Sequence, residues 1–190
     1  MTFHESVVQA LDEAGAGGAD EAQLAILNAA LTTDAIAFED AQQALYDYRD
    51  CLEGSGLALV GLKVVDDGGF KRFDYGVSLG EADVADANGA VADACYAKTY
   101  QWVDMLYQTQ PAGMQAQDAK FDAALPALIA CLKDVGVPVD EKSPADEVKQ
   151  AMLAFMNEHR PKGDDDWPAA EEAEYERVGD CLQSVGLDGF

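Results

Sequence analysis

Apolar residues recur at helical spacing along most of the chain, with one interruption. Val7, Val8 and Leu11 share one side of a helix predicted over Glu5 to Ala14, which Gly15-Ala16-Gly17-Gly18 stops. Asp20 is placed to cap a second helix carrying Leu24, Ile26, Leu27 and Leu31, and Thr32-Thr33-Asp34 ends it. A third helix is predicted from about Phe38 to Gly54. Its Phe38, Ala41, Leu45, Tyr48 and Leu52 follow steps of three and four and so share a face, with Cys51 at the edge of that face.

The period then changes. Leu57 to Val65 is aliphatic and rich in β-branched residues, and Phe70 to Val77 alternates. Phe73, Tyr75 and Val77 fall on one side, Arg72 and Asp74 on the other. With Asp66-Asp67-Gly68-Gly69 between them, the two runs predict an antiparallel β-hairpin, about 57–65 and 70–77, with a four-residue connection and a bulge at Gly61. A lone hairpin is marginal in water, so its apolar face must lie on helices.

Helical periodicity returns from Glu81 to Gln108, through Val91, Cys95, Trp102, Val103 and Leu106. Gln108 to Gln117, with Pro111 and Gly113, reads as a connection. Lys120 to Val135 is helical, with Phe121, Leu125, Leu128 and Leu132 in register, and Pro126 either begins its regular part or kinks it. Pro144 to His159 (Val148, Met152, Phe155) and Ala169 to Val185 (Tyr175, Val178, Leu182, Val185) complete the set, separated by a loop over Arg160 to Pro168. The expected fold class is α+β and mostly helical, about six or seven helices with one hairpin, stapled by two disulfides. The chain reads as one domain, 1–190, with a helix-hairpin-helix lobe over 19–110 and a helical lobe over 118–190.

One pattern occurs three times: Cys-Leu-x-x-x-Gly followed by an aliphatic residue, at Cys51 to Leu57, Cys131 to Val137 and Cys181 to Leu187. Each copy ends a helical segment. The glycine stands where a helix stops in a left-handed residue, and the aliphatic residue after it can pack back on the last turn.

Composition changes this picture in two ways. A hydrophobic content of 49% over 190 residues suits a packed globular chain. Twelve Lys and Arg against 36 Asp and Glu give a net charge of −24, which repels nucleic-acid phosphate and anionic lipid while attracting cationic partners and, weakly, divalent ions. No nucleic-acid partner is expected, no apolar run approaches a membrane span, and Met1 to Glu5 is not a signal peptide.

The four cysteines allow three pairings. No Cys-x-x-Cys is present, which disfavours zinc and thioredoxin-like redox chemistry. A Cys–His nucleophile would have to use His4, in a fraying end, or His159. Buried free thiols and two structural disulfides remain. The favoured pairs are Cys51–Cys95 and Cys131–Cys181, each joining consecutive cysteines across an excursion of the chain, which implies an oxidising compartment. No catalytic, cofactor-binding or metal-ligating residue stands out. Asp83 to Gly89 resembles a calcium loop, but Val84 and Cys95 fall where carboxylates are required, and Asp164-Asp165-Asp166 reads as a solvated acidic loop. Tyr96, Tyr100, Trp102 and Tyr107 are read as core packing rather than a ligand face.

The segment Gln23-Leu24-x-x-Leu27, then Phe38-Glu39-Asp40-Ala41 to Tyr48-x-x-Cys51-Leu52-x-x-x-Gly56, a hairpin, and Cys95-Tyr96-x-x-x-Tyr100-x-x-Val103-x-x-x-Tyr107 resembles a set of secreted or lipid-anchored actinobacterial proteins of unassigned function. The likeness covers about Ala19 to Gln110, with echoes at Cys131 and Cys181. It implies export and a Cys51–Cys95 bridge and carries no catalytic residues. An export signal would then have been removed, with Met1 added. The expectation is an exported, acidic cell-envelope protein at the surface or outside the cell, a non-enzymatic binding or structural module acting through contacts with an unknown protein partner. The alternatives are an extracellular carboxylate-based hydrolase, or a cytoplasmic acidic inhibitor or DNA mimic.

Overall fold

The computed structural model describes residues 1–81, 83–159 and 169–187 of the 190. In chain order the elements are α1 (Phe3–Gly17), α2 (Glu21–Thr33), α3 (Phe38–Gly54), β1 (Ala58–Asp67), β2 (Phe70–Ser78), α4 (Ala85–Thr99), α5 (Gln101–Thr109), α6 (Pro111–Asp134), α7 (Ala145–Glu158) and α8 (Ala169–Ser184). The class is α+β, mostly helical, with one antiparallel hairpin and two disulfides. The chain divides into two compact units, Met1–Ala116 and Gln117–Phe190.

α1 is firmer than its sequence suggests. The Thr2 hydroxyl accepts the Glu5 backbone N–H while the Glu5 carboxylate accepts that of Thr2, a reciprocal capping box, so His4 sits in a capped first turn rather than a fraying end. The buried face is also rotated from the expected one. Val7, Ala10 and Ala14 face the core and Val8 is 52% exposed. Two alanines on the inner face let α1 lie close to its neighbours, a signal that hydrophobic periodicity alone does not weigh.

α2 begins as expected, with the Asp20 carboxylate accepting the Gln23 N–H at 2.9 Å. Its inner face, however, is Gln23, Leu27 and Ala30, so Leu24 and Leu31 are only half-buried. α3 matches its predicted limits, with Ala41, Leu45, Tyr48 and Leu52 buried and Phe38 packed at the margin.

The hairpin pairs Asp67 with Phe70, so the connection is the two residues Gly68-Gly69 rather than four. Both have positive φ (67° and 98°), the region a tight hairpin turn of the right twist demands at both central positions. The register shifts between Val60 and Lys63, at Gly61, which marks the bulge.

The segment expected as one helix over Glu81 to Gln108 is two. α4 and α5 meet at Tyr100, whose φ of −139° and ψ of −32° are not helical. The expected connection over Gln108 to Gln117 is instead mostly helix: only Gln110 is extended, and Pro111 opens α6 at the position where its missing N–H costs nothing. Pro126 lies inside α6.

The first unit's core gathers Val7, Leu27, Leu45, Leu52, Val103 and Leu106 with the buried Tyr48 and Tyr100. The second unit's core is Phe121, Leu128, Leu132, Val148, Val178 and Leu187, with Met152 and Cys181. The predicted acidic loop at Asp164-Asp165-Asp166 lies outside the described residues.

Candidate functional site

The threefold Cys-Leu-x-x-x-Gly motif is a helix stop with the same geometry in every copy. Gly56, Gly136 and Gly186 have φ of 82°, 93° and 76°. The N–H of the residue after each glycine returns to the carbonyl of the motif leucine: Leu57 to Leu52 at 2.9 Å, Val137 to Leu132 at 2.9 Å, Leu187 to Leu182 at 2.8 Å. The glycine N–H bonds one residue further on, to Glu53, Lys133 and Gln183. This pair of bonds is the Schellman closure, and both ends of its apolar clasp are buried in all three copies.

Each motif cysteine stands one residue before the clasp leucine, Cys51 and Cys131 half-buried at the rim of the core and Cys181 within it. Cys51, at the end of α3, bonds Cys95 in α4, and Cys131 near the end of α6 bonds Cys181 near the end of α8, each with Cα atoms 5.7 Å apart. The second bridge therefore joins equivalent positions of two copies, so the two helix ends meet at one level. The loops closed, 44 and 50 residues in separation, correspond to about 4 kcal/mol each in the chain-entropy account. Cys95 and Cys181 are buried, which shields the bridges from exchange.

Beside the first bridge lies a box of phenols. Tyr48 of α3 has its ring centroid 6.3 Å from that of Tyr75 on β2, 5.5 Å from Tyr96 on α4 and 6.2 Å from Tyr100 at the break. The Tyr96 hydroxyl donates to Asp104 Oδ2 at 2.7 Å, and Gln108 donates to the other oxygen at 2.7 Å. Burial, and then the Asp104 carboxylate, push the Tyr75, Tyr96 and Tyr100 phenols up from their ordinary value, and burial, then Asp93, does the same to Tyr48. These phenols stay protonated, and the Tyr75 ring, packed against Tyr48 and Tyr100, seats the hairpin on the helices, while the buried Tyr100 hydroxyl has no hydrogen-bond partner among the described residues. At the hairpin tip Phe38 stacks on Phe73 and Phe70 on Tyr107, whose hydroxyl donates to the Lys71 carbonyl at 2.5 Å and whose pKa is pushed up to about 12 by burial and Glu39. Tyr96, Tyr100 and Tyr107 thus pack as the sequence suggests, with Trp102 half-buried against the same core.

Two buried glutamines, neither singled out by sequence reasoning as a connector, hold this frame. Gln23 Oε1 accepts the N–H groups of Trp102 (2.7 Å) and Val103 (3.4 Å), and its amide donates to the carbonyls of Lys98 (2.9 Å) and Ala97 (3.2 Å). These are the backbone groups released where α4 gives way to α5. Gln110 pairs in the same manner with one residue, taking the Ile36 N–H at 3.0 Å and donating to its carbonyl at 3.3 Å. The available signal was register: Gln23 stands four residues before Leu27, on the inner face of its helix.

Clefts open on this unit among the described residues. One, of about 350 Å³, lies at the hairpin tip among Phe38, Glu39, Phe70, Lys71 and Tyr107. Another, of about 520 Å³, lies between α1 and the α5–α6 corner. Among the described residues no group of three or more His, Cys, Asp or Glu side chains is placed to hold a metal ion, and no helix is long and apolar enough to cross a membrane. Compared with known proteins, the chain matches no family model, no curated protein and no solved structure.

Proposed function

We propose that this chain is an exported cell-envelope module, non-enzymatic, which acts by binding other proteins. The observation that carries the reading is the pair of disulfides, each anchored at a Schellman-closed helix end in its own compact unit. Bridges of this kind persist in oxidising surroundings and are rare where thiols are kept reduced. The net charge of −24 adds solubility and a bias toward cationic partners. The two glutamine clasps spend their polar atoms on backbone groups, and the phenol rings pack on one another, which suits a presenting frame. The exposed aliphatics of the hairpin, Val60, Leu62 and Val64, lie on a surface of that frame open to contact. Membership in the secreted or lipid-anchored actinobacterial set that the Gln23 to Tyr107 motifs resemble fits this reading, with a lipid anchor upstream of the chain.

The test is location. Intact source cells are labelled with a membrane-impermeant amine reagent and then fractionated. Labelled protein in the envelope or medium is the expected result, and unlabelled protein confined to the cytosol overturns the proposal.

A further inference from the structure

The cleft between α1 and the α5–α6 corner has the form of a helix-binding groove. Its α1 wall is built by Phe3, Ser6, Ala10 and Glu13, a set of positions repeating every three or four residues. Ten residues of helix rise about 15 Å, so the wall runs for nearly three turns. Opposite it stand Met105 and Leu106 on α5 and Met114 on α6. Met105 and Met114 are 42% and 45% exposed, so two large apolar side chains stand open to solvent on the same side of the groove. Thioether side chains are unbranched and polarizable, and they adapt to the varied surface of an incoming apolar face.

Charge restricts the occupant further. No Lys or Arg occurs among residues 1–48 or 99–119, the segments that contain both walls. Glu13 lies in the groove wall, and Glu5 and Asp12 are exposed on the same helix. An anionic amphiphile such as a fatty-acid carboxylate meets repulsion there, and a cationic one is drawn in.

We infer that this groove binds a basic amphipathic helix of a partner protein, its apolar face on Met105, Met114 and Phe3 and its Lys or Arg residues toward the Glu13 rim. The inference rests on the binding-module reading above and names the surface and the chemical class of the partner. An incoming helix would set residues at i, i+3 or i+4, and i+7 against the groove, which matches the length of the α1 wall.

The test uses the full, oxidised chain and a synthetic Leu/Lys peptide of about 18 residues, five helical turns, with leucines on one face. Its control is a peptide of the same composition scrambled to remove the apolar face. Calorimetric titration is expected to give binding of the amphipathic peptide at least about tenfold tighter than of the scrambled one, with the peptide becoming helical by circular dichroism. The double substitution Met105→Gln and Met114→Gln, at exposed sites, is expected to remove most of that preference while the melting temperature holds. Glu13→Gln is expected to weaken binding severalfold and to flatten its salt dependence. Equal binding of both peptides, absence of binding, or an unchanged preference in the double variant overturns the inference. Cell location is read separately, so the groove and the export reading can fail independently.

Discussion

The side-chain oxygen of Gln23 accepts the backbone N–H of Trp102 at 2.7 Å, across 79 residues of sequence. With its amide on the Lys98 and Ala97 carbonyls, this side chain bridges the break between α4 and α5, where the Asp20 N–H also bonds the Lys98 carbonyl. Gln23→Ala leaves the Trp102 and Val103 N–H groups and the Ala97 carbonyl without this partner, while the Lys98 carbonyl keeps the Asp20 N–H at 2.8 Å. It is expected to cost about 3 kcal/mol, the sum of two or more unmet backbone groups. Urea unfolding measures it, and a loss below about 0.5 kcal/mol, the scale of an ordinary surface change, contradicts the role assigned to Gln23.

The helix stops offer a paired comparison. Gly54 and Gly56 both have open space where a Cβ would be added, but only Gly56 has a left-handed φ. Gly56→Ala, and likewise Gly136→Ala and Gly186→Ala, should destabilise by about 1–2 kcal/mol through backbone conformation alone. Gly54→Ala, at the last residue of α3, should be neutral or stabilise by up to about 0.5 kcal/mol. Thermal melts of the four variants decide it, and equal shifts at Gly54 and Gly56 are the contrary outcome.

Alkaline pH reports on the phenol box. Burial raises Tyr48, Tyr75, Tyr96 and Tyr100 above the ordinary 10.0, and Tyr107 to about 12. A raised pKa in the folded chain favours the neutral phenol there. That contribution to stability is complete below pH 10 and is lost as pH climbs from 10 through the folded values. An absorbance titration of the seven tyrosines should therefore show phenolate from these five only at higher pH, together with loss of near-ultraviolet dichroism. All seven ionising together near pH 10 with the fold intact is inconsistent with a buried phenol box.

Each disulfide belongs to its own compact unit. Removing Cys51–Cys95 by a double alanine substitution should lower the stability of the first unit by about 4 kcal/mol, and removing Cys131–Cys181 that of the second by a similar amount. Hydrogen exchange at core amides resolves the two units. A loss of protection spread evenly over both after either change argues against separate staples.

Much of this architecture was legible because local signals agreed. α3 carries a clean apolar stripe from Phe38 to Leu52 and a glycine stop. The hairpin declares itself by the change of period at Leu57 and by its glycine turn. The three Cys-Leu-x-x-x-Gly copies mark helix ends from composition and spacing alone. What escaped depends on distant partners. The break at Tyr100 has no local mark in the sequence, and a partner of its freed backbone groups, Gln23, lies far upstream. The inner face of α1 uses alanines, whose burial carries little hydrophobic signal, so Val8 was wrongly turned inward. The connection over Gln108 to Gln117 looked like a loop because Pro111 and Gly113 are breakers in isolation. In place, Pro111 starts a helix, and Gly113 is needed because a Cβ there would come within 2.5 Å of the Gln108 carbonyl. The groove was not visible at all, since its walls are assembled from segments about ninety residues apart.

Peptide mapping under non-reducing conditions reads the two bridges, and with them the proposed export, in a single experiment. Protein is taken from its source cells, its free thiols are alkylated at once, and it is digested without reductant. The account predicts one linked peptide pair containing Cys51 with Cys95 and another containing Cys131 with Cys181, with no alkylated cysteine. Four alkylated thiols would contradict export, and a Cys51–Cys131 link would contradict the two-staple architecture.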